Sequence, residues 1–365
     1  MKICTIIGAR PQFIKAAAVS RILRQSNMEV LIHTGQHYDS NMSDIFFEEL
    51  SIPKPDYNLG IAGGLHGEMT GRMLIEIEKV FLAETPDFVF VYGDTNSTTA
   101  GALAAAKLDI PICHVEAGLR TRMKGNPEEI NRLVTDRISS LLMCCTKLSV
   151  DELHKEGRHQ GVYFTGDVMY DAQLFYGKHI KERKELLQTL HGEKFNLPEA
   201  YYYLTCHRQE NTQTDVPLFE IFTAMQQLDA PVIYPVHPRN QKRALRLLST
   251  HDFSNIHLTK PVGYLTSLHM CKDAKTIITD SGGLQREAYF YKKPCITIFP
   301  VPAWVETMKG NYNQISPAKA DDILKKIGVK PQEAEWEEQF GDGHAAEKIV
   351  ALVEEYEKDV MDIST

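Results

Sequence analysis

Short apolar runs rich in β-branched residues alternate along this chain with longer stretches of helical period, and the alternation occurs twice. The runs fall at 2–8, 30–34, 88–92, 110–114, 141–145 and 162–165, then at 201–206, 231–236, 256–259, 276–279 and 295–299. Continuous apolar runs separated by helices predict parallel strands covered on both faces. A polar, charged stretch of helical character near 176–194 separates the two series and reads as a linker. At 365 residues the chain is too long for one ordinary core. The fold class expected is therefore α/β, with two doubly wound, Rossmann-like domains facing a cleft.

Ligands of such sheets sit beyond the carboxyl ends of the strands, and the polar clusters of this chain fall there. The runs lead into Gly8-Ala9-Arg10-Pro11, with Lys15 on the helix beyond, into Thr34-Gly35-Gln36-His37 and into Gly93-Asp94-Thr95. Those of the second half lead into Cys206-His207-Arg208, His237-Pro238-Arg239 and Asp280-Ser281-Gly282-Gly283. Turn and helix-capping residues explain one such cluster; six at one rim ask for chemistry. Ser281, Gly282 and Gly283 also open a helix, where free N–H groups and the dipole favour a phosphate.

The densest polar stretch is 114–132, HVEAGLRTRMKGNPEEINR, between an apolar run and a helix. Asn126 is the expected cap of that helix, with Pro127 at its first position. At about 100° per residue, Ile130, Leu133, Val134, Ile138 and Leu141 share one face, expected to lie on the core. Glu128, Asn131, Arg132 and Thr135 share the opposite face, which places Glu128 and Arg132 together away from the core.

Composition narrows the partners. A net charge of -8, with no basic stripe interleaved with aromatics, speaks against nucleic acid. No apolar run approaches a membrane span, and the opening MKICTIIGA is too short for a secretory signal, so a cytoplasmic protein with no membrane partner is expected. Seven scattered cysteines without a C-x-x-C pair read as small buried hydrophobes of a reduced compartment. Neither G-x-G-x-x-G nor G-x-x-x-x-G-K-[ST] occurs, and the fourteen histidines show no ligand spacing, so no cofactor and no metal are expected.

Taken together, GARP with Lys15, GDT at 93–95, HVEAGLR at 114–120, PEEINR at 127–132, His207-Arg208, DSGGLQREA at 280–288 and FGDG at 340–343 resemble the non-hydrolysing UDP-N-acetylglucosamine 2-epimerase family. The resemblance covers nearly the whole chain. It implies a glycosyltransferase-B type fold, with Rossmann-like domains at 1–172 and 173–343 and a helix at 344–365 returning toward the first. It also implies a cytoplasmic homodimer that interconverts UDP-N-acetylglucosamine and UDP-N-acetylmannosamine for surface polysaccharide synthesis. The route is anti elimination of UDP, a 2-acetamidoglucal intermediate and re-addition, without a redox cofactor. Matched by position, Asp94, Glu116 and Glu128 are the acid–base carboxylates, with Arg132 and His207 beside them. Arg10, Lys15, His237, Ser281, Gly282, Gly283 and Glu287 are the UDP contacts, Glu287 on the ribose.

Two departures bear on the substrate. Residues 36–42 are two longer than the family pattern, and with 67–74 they look more like the branch acting on UDP-2,3-diacetamido-2,3-dideoxyglucuronate; allosteric control by UDP-N-acetylglucosamine is then not expected. Trp304 stands where the family places an arginine, either packing on the sugar or uridine or filling loop space. Two alternatives of other classes are a UDP-sugar glycosyltransferase and a silent nucleotide-sugar sensor; neither has a use for three carboxylates around C2.

Overall fold

The computed structural model of the chain describes residues 1–36, 49–178, 180 and 186–364, with 186 and 359–364 given by backbone alone. They form two units, Met1–Leu174 with Glu338–Thr365, and Phe175–Glu337.

The first unit holds a parallel sheet of seven strands: β1 (Lys2–Ile7), β2 (Met28–His33), β3 (Tyr57–Asn58), β4 (Phe88–Tyr92), β5 (Ile112–Ala117), β6 (Leu141–Cys144) and β7 (Val162–Phe164). Their order is β3-β2-β1-β4-β5-β6-β7. Helices α1 (Arg10–Leu23), α2 (His66–Glu84), α3 (Asn96–Lys107), α4 (Pro127–Ile138), α5 (Lys147–Lys155) and α6 (Val168–Gly177) connect them. Met73, Ile77 and Phe81 of α2 and the alanines of α3 pack on Cys4, Ile6, Val89 and Val91. Each large apolar side chain so buried contributes roughly 1.5–3 kcal/mol.

The second unit holds a parallel sheet of six: β10 (Tyr202–Thr205), β11 (Val232–Pro235), β12 (Ile256–Thr259), β13 (Ile277–Thr279), β14 (Cys295–Ile298) and β15 (Asn313–Ser316), in the order β12-β11-β10-β13-β14-β15. Its helices are α7 (Gln209–Thr212), α8 (Asp215–Gln226), α9 (Pro238–Thr250), α10 (Tyr264–Asp273), α11 (Gly282–Phe290) and α12 (Ala320–Ile327). The last helix, α13 (Ala345–Ser364), lies on the first unit: Glu354 accepts from Ser26 and Asn27, and the Tyr356 ring meets Phe88 edge-on.

All eleven apolar runs are strands. The linker reading of 176–194 is corrected in part: β8 (Leu186–Gln188) and β9 (Lys194–Asn196) form an antiparallel hairpin there, because Leu187 buries against Tyr201 and Tyr203 while Gly192, at φ +96°, allows the turn. In each sheet the order reverses once, between β1 and β4 and between β10 and β13. Connections leave to opposite faces at such a point, opening a crevice beyond the strand ends.

Candidate functional site

Six of the residues singled out from the sequence stand in the first unit, around the ends of β1, β4 and β5. The chain must turn tightly here: a Cβ on Gly8 would lie 2.2 Å from Ser97 Oγ and 2.3 Å from Thr34 Oγ1. Gln36 Oε1 accepts from the N–H and hydroxyl of Ser97 at the start of α3, tying the end of β2 to the same rim. Residues 37–42 of the altered segment lie outside the described residues.

Asp94 follows β4, and Arg132 Nε and Nη2 hold its Oδ2 at 3.0 and 2.5 Å. The third arm of that guanidinium, Nη1, meets Glu129 Oε2 at 2.7 Å. Burial alone would raise the Glu129 carboxyl, but the N–H groups of Thr121 and Arg122, the Thr121 hydroxyl and Arg132 hold it below its ordinary value. Arg132 is thus clamped between two carboxylates, and its geometry is set before any ligand arrives.

Glu116 sits on a bulge. Val115 pairs with Met143 and Ala117 with Cys144, leaving Glu116 as the extra residue of β5, at φ +75°. A side chain in that region costs about 1–3 kcal/mol and persists where its surroundings over-determine it. Here the bulge turns the carboxylate onto Lys15 Nζ at 2.6 Å, both side chains buried. Gly93, at φ +62°, leaves room: a Cβ there would lie 3.1 Å from Lys15 Nζ and 3.4 Å from Glu116 Oε1. The Cys145 and Asp167 side chains end within 4.8 Å of Glu116 and of each other. Of these three, Glu116 is paired with the Lys15 ammonium.

The facing of α4 is corrected for most of its length, although Ile138 packs on the core and Leu141, in β6, is buried. Glu129, Arg132, Thr135 and Asp136 are buried, whereas Ile130, Leu133 and Val134 are 56%, 44% and 37% exposed. The charged face turns inward because its charges find partners there: Arg132 on Asp94 and Glu129, Asp136 on His114 and Arg120. Asn126 and Pro127 do start the helix, the Asn126 side chain accepting from Glu129 N at 2.8 Å. Glu128 lies exposed in the first turn. His114, expected at a strand end, is inside β5 and fully buried.

The other six residues belong to the second unit. Asp280, at the end of β13, accepts from the N–H of His207 and Arg208 and from Asn211, and its Oδ1 meets His207 Nδ1 at 2.9 Å. Burial alone would raise this carboxyl, yet His207 and the N–H donors hold it well below the usual range. The carboxylate thus fixes the orientation of the His207 ring through Nδ1, while the ring itself stays about half-exposed. Asp280 was named from the sequence only as part of its cluster, without a role of its own; only the fold shows His207 beside it.

Ser281 caps α11 by accepting from Leu284 N, and His237 caps α9 by accepting from Arg239 N. Glu287 is buried one turn along α11, and burial and then this carboxylate raise the nearby Tyr264 phenol. Trp304 is only 2% exposed: the Arg286 guanidinium lies 4.1 Å over its ring, and its Nε1 sits 3.5 Å from where a Gly282 Cβ would be. It packs under the glycine turn and has no open face to offer a sugar or uridine. Among the described residues no helix is long and apolar enough to cross a membrane.

Comparison with known proteins shows the family of the chain. The family model for UDP-N-acetylglucosamine 2-epimerase matches residues 21–354. A UDP-N-acetylglucosamine 2-epimerase homolog of Methanococcus maripaludis is 46% identical over 97% of this chain and 99% of its own. The UDP-2,3-diacetamido-2,3-dideoxy-D-glucuronate 2-epimerase of Pseudomonas aeruginosa is 45% identical over 89% and 91%. The crystal structure of the Methanocaldococcus jannaschii UDP-GlcNAc 2-epimerase in complex with UDP-GlcNAc and UDP superimposes with a TM-score of 0.86 at 38% identity, over 97% of this chain and 99% of that one. With a matching family model over most of its length and relatives this similar from end to end, the chain belongs to the UDP-N-acetylglucosamine 2-epimerase family.

Proposed function

We propose that this protein inverts C2 of UDP-N-acetylglucosamine to give UDP-N-acetylmannosamine, by eliminating UDP across C1 and C2 and adding it back to a 2-acetamidoglucal. The C2 proton is weakly acidic, so the route needs a fixed base, an acid–base partner and donors for the departing diphosphate. The observation that carries the reading is the strained, buried Glu116 held on Lys15, at the same rim as an Asp94 clamped by Arg132. Plain packing has no need of so much oriented charge.

In this reading Asp94, Glu116 and Glu128 move protons, with Arg132 and His207 assisting. Arg10, His237, Ser281, Gly282, Gly283 and Glu287 hold UDP. Lys15, read from the sequence as a UDP contact, is paired with Glu116 and is assigned the task of keeping that carboxylate charged. The place of action is the cytoplasm, and the product serves surface polysaccharide synthesis. Incubation with UDP-N-acetylglucosamine alone, followed by chromatography, tests the assignment: the manno epimer is expected, and release of free sugar or turnover only with an added acceptor would contradict it. Running UDP-2,3-diacetamido-2,3-dideoxyglucuronate beside it identifies the preferred sugar.

The oligomer proposed is a homodimer, supported by the outward apolar face of α4, which a second copy would cover. Light scattering is expected to find a dimer that Ile130→Glu with Leu133→Glu converts to monomer. A monomeric parent, or a variant that stays dimeric, would contradict the assignment of this face.

A further inference from the structure

Tyr92, Gly93 and Asp94 present three consecutive backbone carbonyls, and side chains from separate elements hold all three. Gln12 Nε2 from α1 and Thr98 Oγ1 from α3 donate to Tyr92 O at 2.8 and 2.6 Å. His114 Nε2 from β5 meets Gly93 O at 2.7 Å, and Asn131 Nδ2 from α4 donates to Asp94 O at 2.9 Å. Arg132 then fixes the Asp94 carboxylate itself. Most strand ends need only ladder bonds; this one is gripped at every carbonyl.

The grip on Gly93 is itself anchored. His114 Nδ1 lies 2.6 Å from Asp136 Oδ1, while Asp136 Oδ2 takes Arg120 Nη1 at 2.7 Å and Gly118 N at 3.1 Å. Both partners of the ring, a carbonyl and a carboxylate, are acceptors only, so both ring nitrogens donate and the buried ring is an imidazolium. Burying such a charge beside its partner adds little to stability compared with apolar packing. What it adds is placement.

We infer that His114, with Gln12 and Asn131, is a positioning residue for the epimerisation: the group holds the backbone of Asp94 so that its carboxylate stays at proton-transfer distance. This rests on the proposed function. Misplacement by about 1 Å can cost a hundredfold in rate, which is the scale of the expected effects.

The test separates positioning from simple support of the sheet. In His114→Gln the amide nitrogen falls near the place of Nε2 and can still donate to Gly93 O, whereas His114→Asn keeps a donor only toward Asp136. Both are expected to bind UDP like the parent, His114→Asn with kcat lowered about 100-fold at unchanged KM and His114→Gln within about tenfold. The less buried Asn131→Ala should lose about tenfold in kcat with unchanged Tm and UDP affinity. Parent-like kcat in His114→Asn and Asn131→Ala, or losses that follow Tm alone, would overturn the role. Nitrogen-15 NMR of the parent gives a readout independent of turnover: two protonated ring nitrogens, absent from His114→Asn, are expected, and a single one would overturn the anchoring. A parent that epimerises neither sugar would defeat the proposed function and this role with it; an active parent with unaffected variants would defeat the role alone.

Discussion

Glu116→Gln is expected to lower turnover by about 10² or more while UDP still binds. The amide keeps the shape of the side chain but can no longer take a proton from C2, and it leaves the Lys15 ammonium without its counter-charge at 2.6 Å. Asp94→Asn should fall comparably, because the carboxylate and its fork to Arg132 are lost together. Glu128→Gln belongs to the same series, although its side chain lies exposed at the start of α4. Steady-state kinetics on the three amides, with UDP affinity from calorimetry, checks the set. Near-parent rates in all three would leave Glu128 as an ordinary first-turn acid facing the helix dipole and Glu116 as a structural ion pair.

Asp136→Asn is expected to produce the largest loss of stability, about 3–5 kcal/mol, because it leaves the buried His114 ring without its carboxylate and takes from Arg120 one of its two carboxylate partners, Glu156 being the other. Burial alone would raise the Asp136 carboxyl, but His114 and Arg120 outweigh it and lower it. A carboxyl lowered in the folded state binds fewer protons there than in the unfolded chain. Its contribution is therefore complete above the ordinary aspartate value of about 4 and is lost as pH falls through the folded value. Urea unfolding should show the parent losing stability over that acid range and the variant losing less. A difference under about 1 kcal/mol at pH 7 would mean that the pair behaves as an exposed one.

The parallel strands were legible because each lies between covering helices and so reads as an unbroken apolar run. β15, which reads NQIS at a sheet edge, and the two-residue β3 carry no such signal. The helix at 127–138 shows the limit of periodicity: two unlike faces were evident, but not which one turns inward. That depended on Arg132 finding Asp94 and Asp136 finding His114, partners 38 and 22 residues away. Motif order picked out residues near strand ends and helix starts, whereas the pairing of Lys15 with Glu116 and of Asp280 with His207 came only with the fold. Trp304 was open to two readings for the same reason; the guanidinium that covers it comes from Arg286, eighteen residues earlier in the chain.

The central claim is that C2 is deprotonated and reprotonated during inversion. Proton NMR of UDP-N-acetylglucosamine turned over in heavy water follows that atom directly. The manno epimer is expected to appear with deuterium at C2. An epimer that keeps its original C2 proton, or substrate that remains unchanged under the same conditions, would contradict the account.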